Sequence, residues 1–364
     1  MAISSLISSK MNVLFDINHP AHVHLFKHTI RTLKQHGHNV IVTVKDIPAA
    51  KQLLKAESIE YISLTGKKRD SLLGKAVMQL HYNFLLWRLA VRKNIHLGVG
   101  SSVTIAQVSR FCKMKSIFLD DDDDKVEPLI VKHVHPYCNT ILSPVALTGK
   151  RKAKNVIFYN GTHELAYLHP ARFTPNAKTL ESLGVNASDS YFILRFNAFK
   201  AHHDGNVYGL TLEQKLQLVQ LLTSYGKVFI TTEREIEPAL ESFRLSVSPE
   251  KIHDLLAFAT LFVGDSQTMT AEAAILGTPA FRCNSLVGEL SCIEDIEHNF
   301  GLAFGYKPEE FKNMLDDIQK ILNNPNSKKE WQIKRAKFLE ERIDTTSFLV
   351  DFIENYPYKK HPIK

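Results

Sequence analysis

A chain of 364 residues is long enough for two domains, each with its own core. Its 44% hydrophobic and 23% charged make-up is that of a soluble globular protein, and no apolar run approaches the roughly 20 residues of a membrane span. A net charge of +7 and a pI near 9.0 suit anionic partners, yet the cations are dispersed and no DNA- or RNA-binding motif accompanies them. Nucleotides or an acidic membrane face therefore fit better than nucleic acid.

Four cysteines (Cys112, Cys138, Cys283, Cys292) form no C-x-x-C pair, so neither zinc nor a disulfide scaffold is expected. Reduced thiols point to a cytoplasmic setting. The opening M-A-I-S-S-L-I-S-S-K has too short an apolar core for a secretory signal and reads as preceding an alternative start at Met11.

Asn12–Ile17 is a near-continuous apolar run, as expected of a parallel strand covered on both faces. Residues 18–22 read as a turn, 23–35 as a helix closed by Gly37, and 39–44 as the next strand. This is a βαβ unit whose loop lies at the carboxyl end of the first strand, where open α/β sheets take their ligands. The loop has no glycine and is no dinucleotide fingerprint. It offers imidazoles instead: His19, His22 and His24. A neutral histidine at a helix start, its proton affinity lowered there, is a candidate general base. The alternative is that these rings only hydrogen-bond the turn.

Helix and strand alternate again over 46–64, followed by Lys67-Lys68-Arg69. Residues 71–93 then place Leu72, Leu73, Ala76, Val77, Leu80, Phe84, Trp87 and Val91 among basic residues. Such a helix either packs on the core with a solvated basic side or lies on an anionic membrane at the inner face. A strand at 96–99 opens into the polar loop Gly100–Thr104. The strand at 116–119 runs into five carboxylates, Asp120 to Asp124. A run of like charges is usually a solvated loop. A catalytic or sugar-contacting role for Asp120 or Asp121, just past the strand, is the competing reading. Short strands at 139–142 and 156–159 complete a first domain over 1–160. The turn-rich 161–176 reads as a linker, with Glu164 and His169 as its polar candidates.

The second domain, 177–344, restarts the alternation. A strand at 191–196 leads into a loop, 197–209, with Lys200, His202, His203, Gly205 and Gly209. Leu261–Val263 is a buried strand that breaks at Gly264-Asp265-Ser266 and passes into an alanine-rich helix stopped by Gly277 and Pro279. The start of that helix holds Ser266, Gln267 and Thr268. Its unpaired N–H groups and dipole make it a ready anion site. Glu272 lies six residues on, roughly 9 Å along the axis, where a carboxylate can meet ribose hydroxyls. An ordinary capped helix with a surface Glu is the plain alternative. Residues 345–364 read as a return helix or a tail.

This stretch resembles the nucleotide-binding segment of GT-B-fold enzymes, particularly the non-hydrolysing UDP-N-acetylglucosamine 2-epimerases and the lipid II-forming N-acetylglucosaminyltransferase. Together with D-I-N-H-P-A-H-V-H-L-F at 16–26 and E-L-A-Y-L-H-P at 164–170, it resembles more closely a family catalogued as a domain of unknown function, over about Met11 to Asp344. The resemblance implies an α/β protein of two Rossmann-like domains with parallel sheets facing across a cleft. It singles out His22 and His19 through H-P-x-H. The 2-epimerases carry an acid–base carboxylate in H-x-E-A-G where this chain has Asp120 and Asp121. From their H-R-R-E-N loop only Arg195 and His203 carry over.

The reading that follows is a metal-independent glycosyltransferase using a UDP-linked sugar, with no cofactor. Asp265, Ser266, Gln267, Thr268, Glu272, Arg195 and His203 would hold the nucleotide-sugar, and His22 would deprotonate an acceptor, for which a lipid-linked molecule is a candidate. The alternatives are a 2-epimerase-like enzyme using Asp120 and Asp121, and a nucleotide-sugar-binding protein without catalysis.

Overall fold

The computed structural model describes residues 10–66, 71–186, 188–196, 208–232 and 235–357. The chain divides into two compact units, Met1–Arg172 with Ile343–Lys364, and Phe173–Arg342. The first contains strands β1 (Asn12–Ile17), β2 (Asn39–Lys45), β3 (Ile62–Leu64), β4 (Leu97–Gly100), β5 (Lys115–Leu119), β6 (Thr140–Pro144) and β7 (Val156–Tyr159). They form one parallel sheet in the order β3-β2-β1-β4-β5-β6-β7. The second unit contains β8 (Tyr191–Arg195), β9 (Lys227–Thr231), β10 (Leu261–Gly264), β11 (Ala280–Cys283) and β12 (Ala303–Tyr306), parallel in the order β12-β11-β10-β8-β9.

Both sheets are covered on two faces, which is why their central strands are unbroken apolar runs. Val13, Leu14, Phe15 and Ile17 of β1 have no exposed surface, nor do Leu261, Phe262 and Val263 of β10. In the second unit Phe192, Leu194, Val263 and Phe281 pack with Leu218 and Leu222 of the helix Leu212–Thr223 and Met314 and Ile318 of the helix Phe311–Leu322. The helix Thr345–Glu354 lies in the first unit, where it packs against the helix Pro20–Gln35 and stacks Phe348 on Tyr159 at 5.2 Å.

Each sheet has one point where the chain, having built outward on one side, crosses to the other. In the first it lies between β1 and β4, in the second between β8 and β10. Ligands of open α/β sheets sit beside that point, at the carboxyl ends of the strands. A glycine ends the later strand at both places. A Cβ on Gly100 would stand 2.9 Å from the Asp16 carbonyl oxygen, and one on Gly264 would stand 2.7 Å from that of Arg195. The neighbour is backbone in both cases and cannot swing away, so the close approach of the strands requires glycine.

Gly264→Val is expected to destabilise the second unit by about 1–3 kcal/mol through overpacking. Trp331 is buried in that unit and donates to the Leu302 carbonyl at 2.9 Å. Its emission, followed through urea unfolding in a Trp87→Phe background, reads the second unit alone; an unchanged midpoint would contradict the steric argument.

Candidate active site

The first helix begins earlier than periodicity suggests. It spans Pro20–Gln35, with Pro20 in its first turn and His19 as the cap, accepting the Ala21 N–H on Nδ1 at 3.2 Å. The H-P-x-H motif is therefore partly a helix start, and His19 serves as its cap rather than as a proton carrier. His24 is buried and lies against Tyr167 at 5.4 Å, a core position. His22 presents a buried ring nitrogen, Nδ1, with no hydrogen-bond partner, past the carboxyl end of β1. Burial, reinforced by the neighbouring His19 and His163, lowers its pKa to about 3. It is a neutral imidazole and a weak base, suited to hydrogen-bonding a hydroxyl rather than to taking its proton.

The five-aspartate run is not a solvated loop. Asp120, Asp123 and Asp124 are buried. The Asp120 carboxylate lies 2.7 Å from His135 Nε2 and 3.0 Å from the Arg151 guanidinium. Arg151 also donates to Asp124 at 2.9 Å and to the Asp120 carbonyl at 2.6 Å. Against the cost of burial, the Lys152 N–H and Arg151 hold the Asp124 carboxyl below its ordinary range. Asp120, expected as an acid–base group, is thus a structural anchor whose lone pairs are spent on Arg151 and His135.

Asp121, one residue on, points elsewhere. Its carboxylate is half-buried and accepts from His163 Nδ1 at 3.1 Å. Burial opposes its charge, but His163 holds it below the ordinary carboxylate pKa, and in return Asp121 outweighs burial to raise that of His163. The other ring nitrogen, His163 Nε2, is buried with no hydrogen-bond partner. Glu164 follows, buried and pushed up to about 7 by desolvation and by the charge of Asp121. Asp121, His163 and Glu164 form an acid–base group past the ends of β5 and β7. His22 is within electrostatic reach of Asp121 and His163. Asn18 Oδ1 and Ser101 Oγ, past the ends of β1 and β4, are likewise buried and unsatisfied. Buried polar atoms are nearly always paired, so four such atoms past the carboxyl ends of this sheet's strands mark a place shaped for a polar ligand.

His163 is the residue that sequence reasoning missed. It follows the strand Val156–Tyr159 within G-T-H-E-L, and its loop is pinned from far along the chain. Ile343 N–H donates to the Asn160 carbonyl at 2.9 Å, and the Thr345 hydroxyl to that of Thr162 at 2.7 Å. The only local hint was an acid–imidazole pair after a strand.

In the second unit the turn after β10 starts the helix Gln267–Leu276, capped by Ser266, whose Oγ accepts the Met269 N–H. The Gln267 and Thr268 amides are the donors that neither the helix nor this cap uses. The Gln267 side chain is not available for a ligand: it accepts from Arg282 at 2.7 Å and donates to Asn284 at 3.2 Å. Arg282 is fully buried and paired with Glu294 and, at 2.5 Å, with Glu297. Asp265 is buried, and its carbonyl accepts from Asn284 at 2.9 Å. Arg195, at the end of β8, donates to the Thr231 hydroxyl at 3.2 Å. Glu272 is not a surface carboxylate but is buried 3.0 Å from His253 Nε2, which fixes its direction. His203 lies outside the described residues.

Two parallel-sheet units with helices on both faces and polar loops at their switch points define an α/β protein of GT-B-like architecture. The chain belongs to the family described as protein of unknown function (DUF354), which it matches over residues 11–356. Among solved structures, it is similar to a UDP-N-acetylglucosamine 2-epimerase (14% identity, 98% of each chain covered, TM-score 0.69). A UDP-GlcNAc 2-epimerase from Neisseria meningitidis bound to UDP-GlcNAc aligns with 14% identity over 94% of this chain and 98% of that one, with a TM-score of 0.62. The spinosyn forosaminyltransferase SpnP aligns with 14% identity over 95% and 100%, with a TM-score of 0.63. No curated protein matches. At such identities the likeness is one of fold.

Replacing Arg151 by Met leaves Asp120 and Asp124 buried without their cation, at an expected cost of about 3–5 kcal/mol. Because Asp124 is depressed in the folded state, its contribution is present above the unfolded carboxylate pKa and lost as pH falls through the folded one. The gap between wild type and variant, measured by urea unfolding, should therefore narrow on acidification. A gap that stays constant down to the acid range would exclude Asp124 as its source.

Proposed function

We propose that this protein is a sugar-nucleotide enzyme, a glycosyltransferase that takes its sugar from a UDP-linked donor. The carrying observation is the Asp121–His163 pair: one imidazole nitrogen is held by a carboxylate and the other is buried and unpartnered. That is the arrangement of an oriented general base. His163 Nε2 takes the proton of an acceptor hydroxyl as its oxygen attacks the anomeric carbon. The bond from that carbon to the phosphate oxygen breaks, and UDP leaves with the electron pair. The Gln267 and Thr268 amides and the dipole of their helix suit the charge of a diphosphate. Glu272, with Arg195 and Asp265 near the same strand ends, is suited to ribose and sugar hydroxyls. The neutral His22 is suited to orienting the acceptor. The UDP identity rests on the fold neighbours, among them the Neisseria enzyme whose structure holds UDP-GlcNAc.

Epimerisation is the second reading, favoured by Glu164. A carboxyl pushed up to about 7 beside a depressed Asp121 is a pair with its proton affinities driven apart, one acid and one base. Such a pair can remove and return a proton on the sugar itself, with the nucleotide eliminated and re-added.

The two readings differ in pH dependence. A transferase needs His163 neutral, so its rate falls as pH drops through a pKa raised above the ordinary imidazole value. An enzyme using Glu164 as acid loses rate as pH rises past about 7. Incubation with UDP-N-acetylglucosamine alone separates them as well: a C2-epimer, or UDP with unsaturated sugar, marks the epimerase. UDP binding without turnover across a broad acceptor panel would leave a binding protein.

His163→Ala should lower kcat by about 10²–10⁴ while UDP affinity changes little. Equal loss of both, measured by turnover and calorimetry, would remove His163 from the role of base.

A further inference from the structure

The helix Leu72–Arg92 turns its apolar residues outward. Leu73, Val77, Leu80, Phe84, Trp87 and Val91 recur at alternating spacings of four and three, a single stripe along one side, and all are exposed. Leu80 is 67% exposed and Phe84 55%. The inner side is served by other residues: Leu86 and Ala90 are buried in the core beside Ile105 and Met114. The stripe is extended by Phe111, 77% exposed, whose carbonyl accepts from Trp87 Nε1 at 3.1 Å. A surface-facing heptad stripe with two neighbouring aromatics, Phe84 and Trp87 with ring centroids 6.1 Å apart, is not the solvated back of a core helix.

Along this stretch of chain the formal charge is of one sign. From Ser71 to Leu119 the chain has no Asp or Glu, but has Lys75, Arg88, Arg92, Lys93, Arg110, Lys113 and Lys115, all exposed. These seven equal the formal net charge of the whole chain, +7. A second copy docked on this stripe would set like charges against each other. A partner that is apolar beneath and anionic above meets both features.

We propose that this face, the outer side of Leu72–Arg92 with Phe111, docks on the surface of an anionic lipid bilayer. The stripe enters the headgroup boundary, and the cations meet lipid phosphates. The helix connects the carboxyl end of β3 to the amino end of β4, so it lies in the surface plane along the first unit; among the described residues no helix is long and apolar enough to cross a membrane. The proposal does not depend on the sugar-nucleotide reading.

The experiment is flotation of the full chain with vesicles of phosphatidylglycerol and phosphatidylcholine, against phosphatidylcholine alone, with tryptophan emission read in parallel. Trp331 is buried, so a blue shift reports Trp87. Wild type should float with the anionic vesicles only, release as salt rises, and shift its emission. Leu80→Ser/Phe84→Ser should stay in the soluble fraction. Arg88→Gln/Arg92→Gln, which alters only exposed side chains and keeps the test open should the serine variant misfold, should partition about fivefold less for each charge removed. Failure to float, equal flotation with neutral vesicles, or flotation of a folded serine variant at the wild-type level would each overturn the proposal. So would a dimer that the serine variant abolishes, seen by sedimentation without vesicle binding; that result would give the face to a second copy.

Discussion

The first unit depends on one guanidinium. Five adjacent aspartates repel each other and would keep a loop extended in water. Arg151 draws Asp120 and Asp124 inward and also bonds the Asp120 carbonyl, so the chain folds around it. With the ends of the run fixed, Asp121 is left facing His163. The geometry of the acid–base pair is therefore a consequence of a clamp that takes no part in it. The clamp is costly to break and of modest net worth, as buried ion pairs generally are. Its value lies in direction rather than in stability.

A second constraint comes from the far end of the chain. The segment that follows Arg342 returns to the first unit, and its Ile343 and Thr345 bond the carbonyls on either side of Gly161. A Cβ at Gly161 would stand 2.8 Å from the Thr345 hydroxyl. The loop that carries His163 is thus closed by residues about 180 positions later, with Thr346 bonding the Ala166 carbonyl at 2.7 Å. The return helix, bound through Phe348 and Tyr159, positions the site as well as covering the sheet.

These two constraints explain what could and could not be read from the sequence. Strands buried on both faces and helices with glycine stops are local patterns, and the alternation of β and α follows from them. The capped turn before Gln267 was legible for the same reason, since a helix start is made by neighbours in sequence. Asp121 was legible only as one of a pair with Asp120; which of the two faces the site is decided by Arg151, thirty positions downstream. His163 was not legible as a base, because its partner is Asp121 and its loop is held by Thr345. The early start of the first helix was missed for a smaller reason: Pro20 reads as a breaker, yet it is tolerated in a first turn, where its N–H is not needed. Glu272 lies on its helix as expected, and the alternative of a surface carboxylate fails because its partner His253, on a different element, holds it buried.

The two units therefore present different kinds of chemistry. In the second, the proposed anion site is main chain. The amides of Gln267 and Thr268 are donors whatever side chains follow, provided the turn is capped and Gly264 lets the strands close. Main-chain donors of this kind do not depend on side-chain identity, whereas the fold itself is shared with epimerases and transferases at identities near 14%. In the first unit the proposed reactive groups are side chains that follow β1, β5 and β7, and their placement depends on distant partners. The fold neighbours thus bear on the architecture, whereas the choice between the two proposed reactions turns on Asp121, His163 and Glu164.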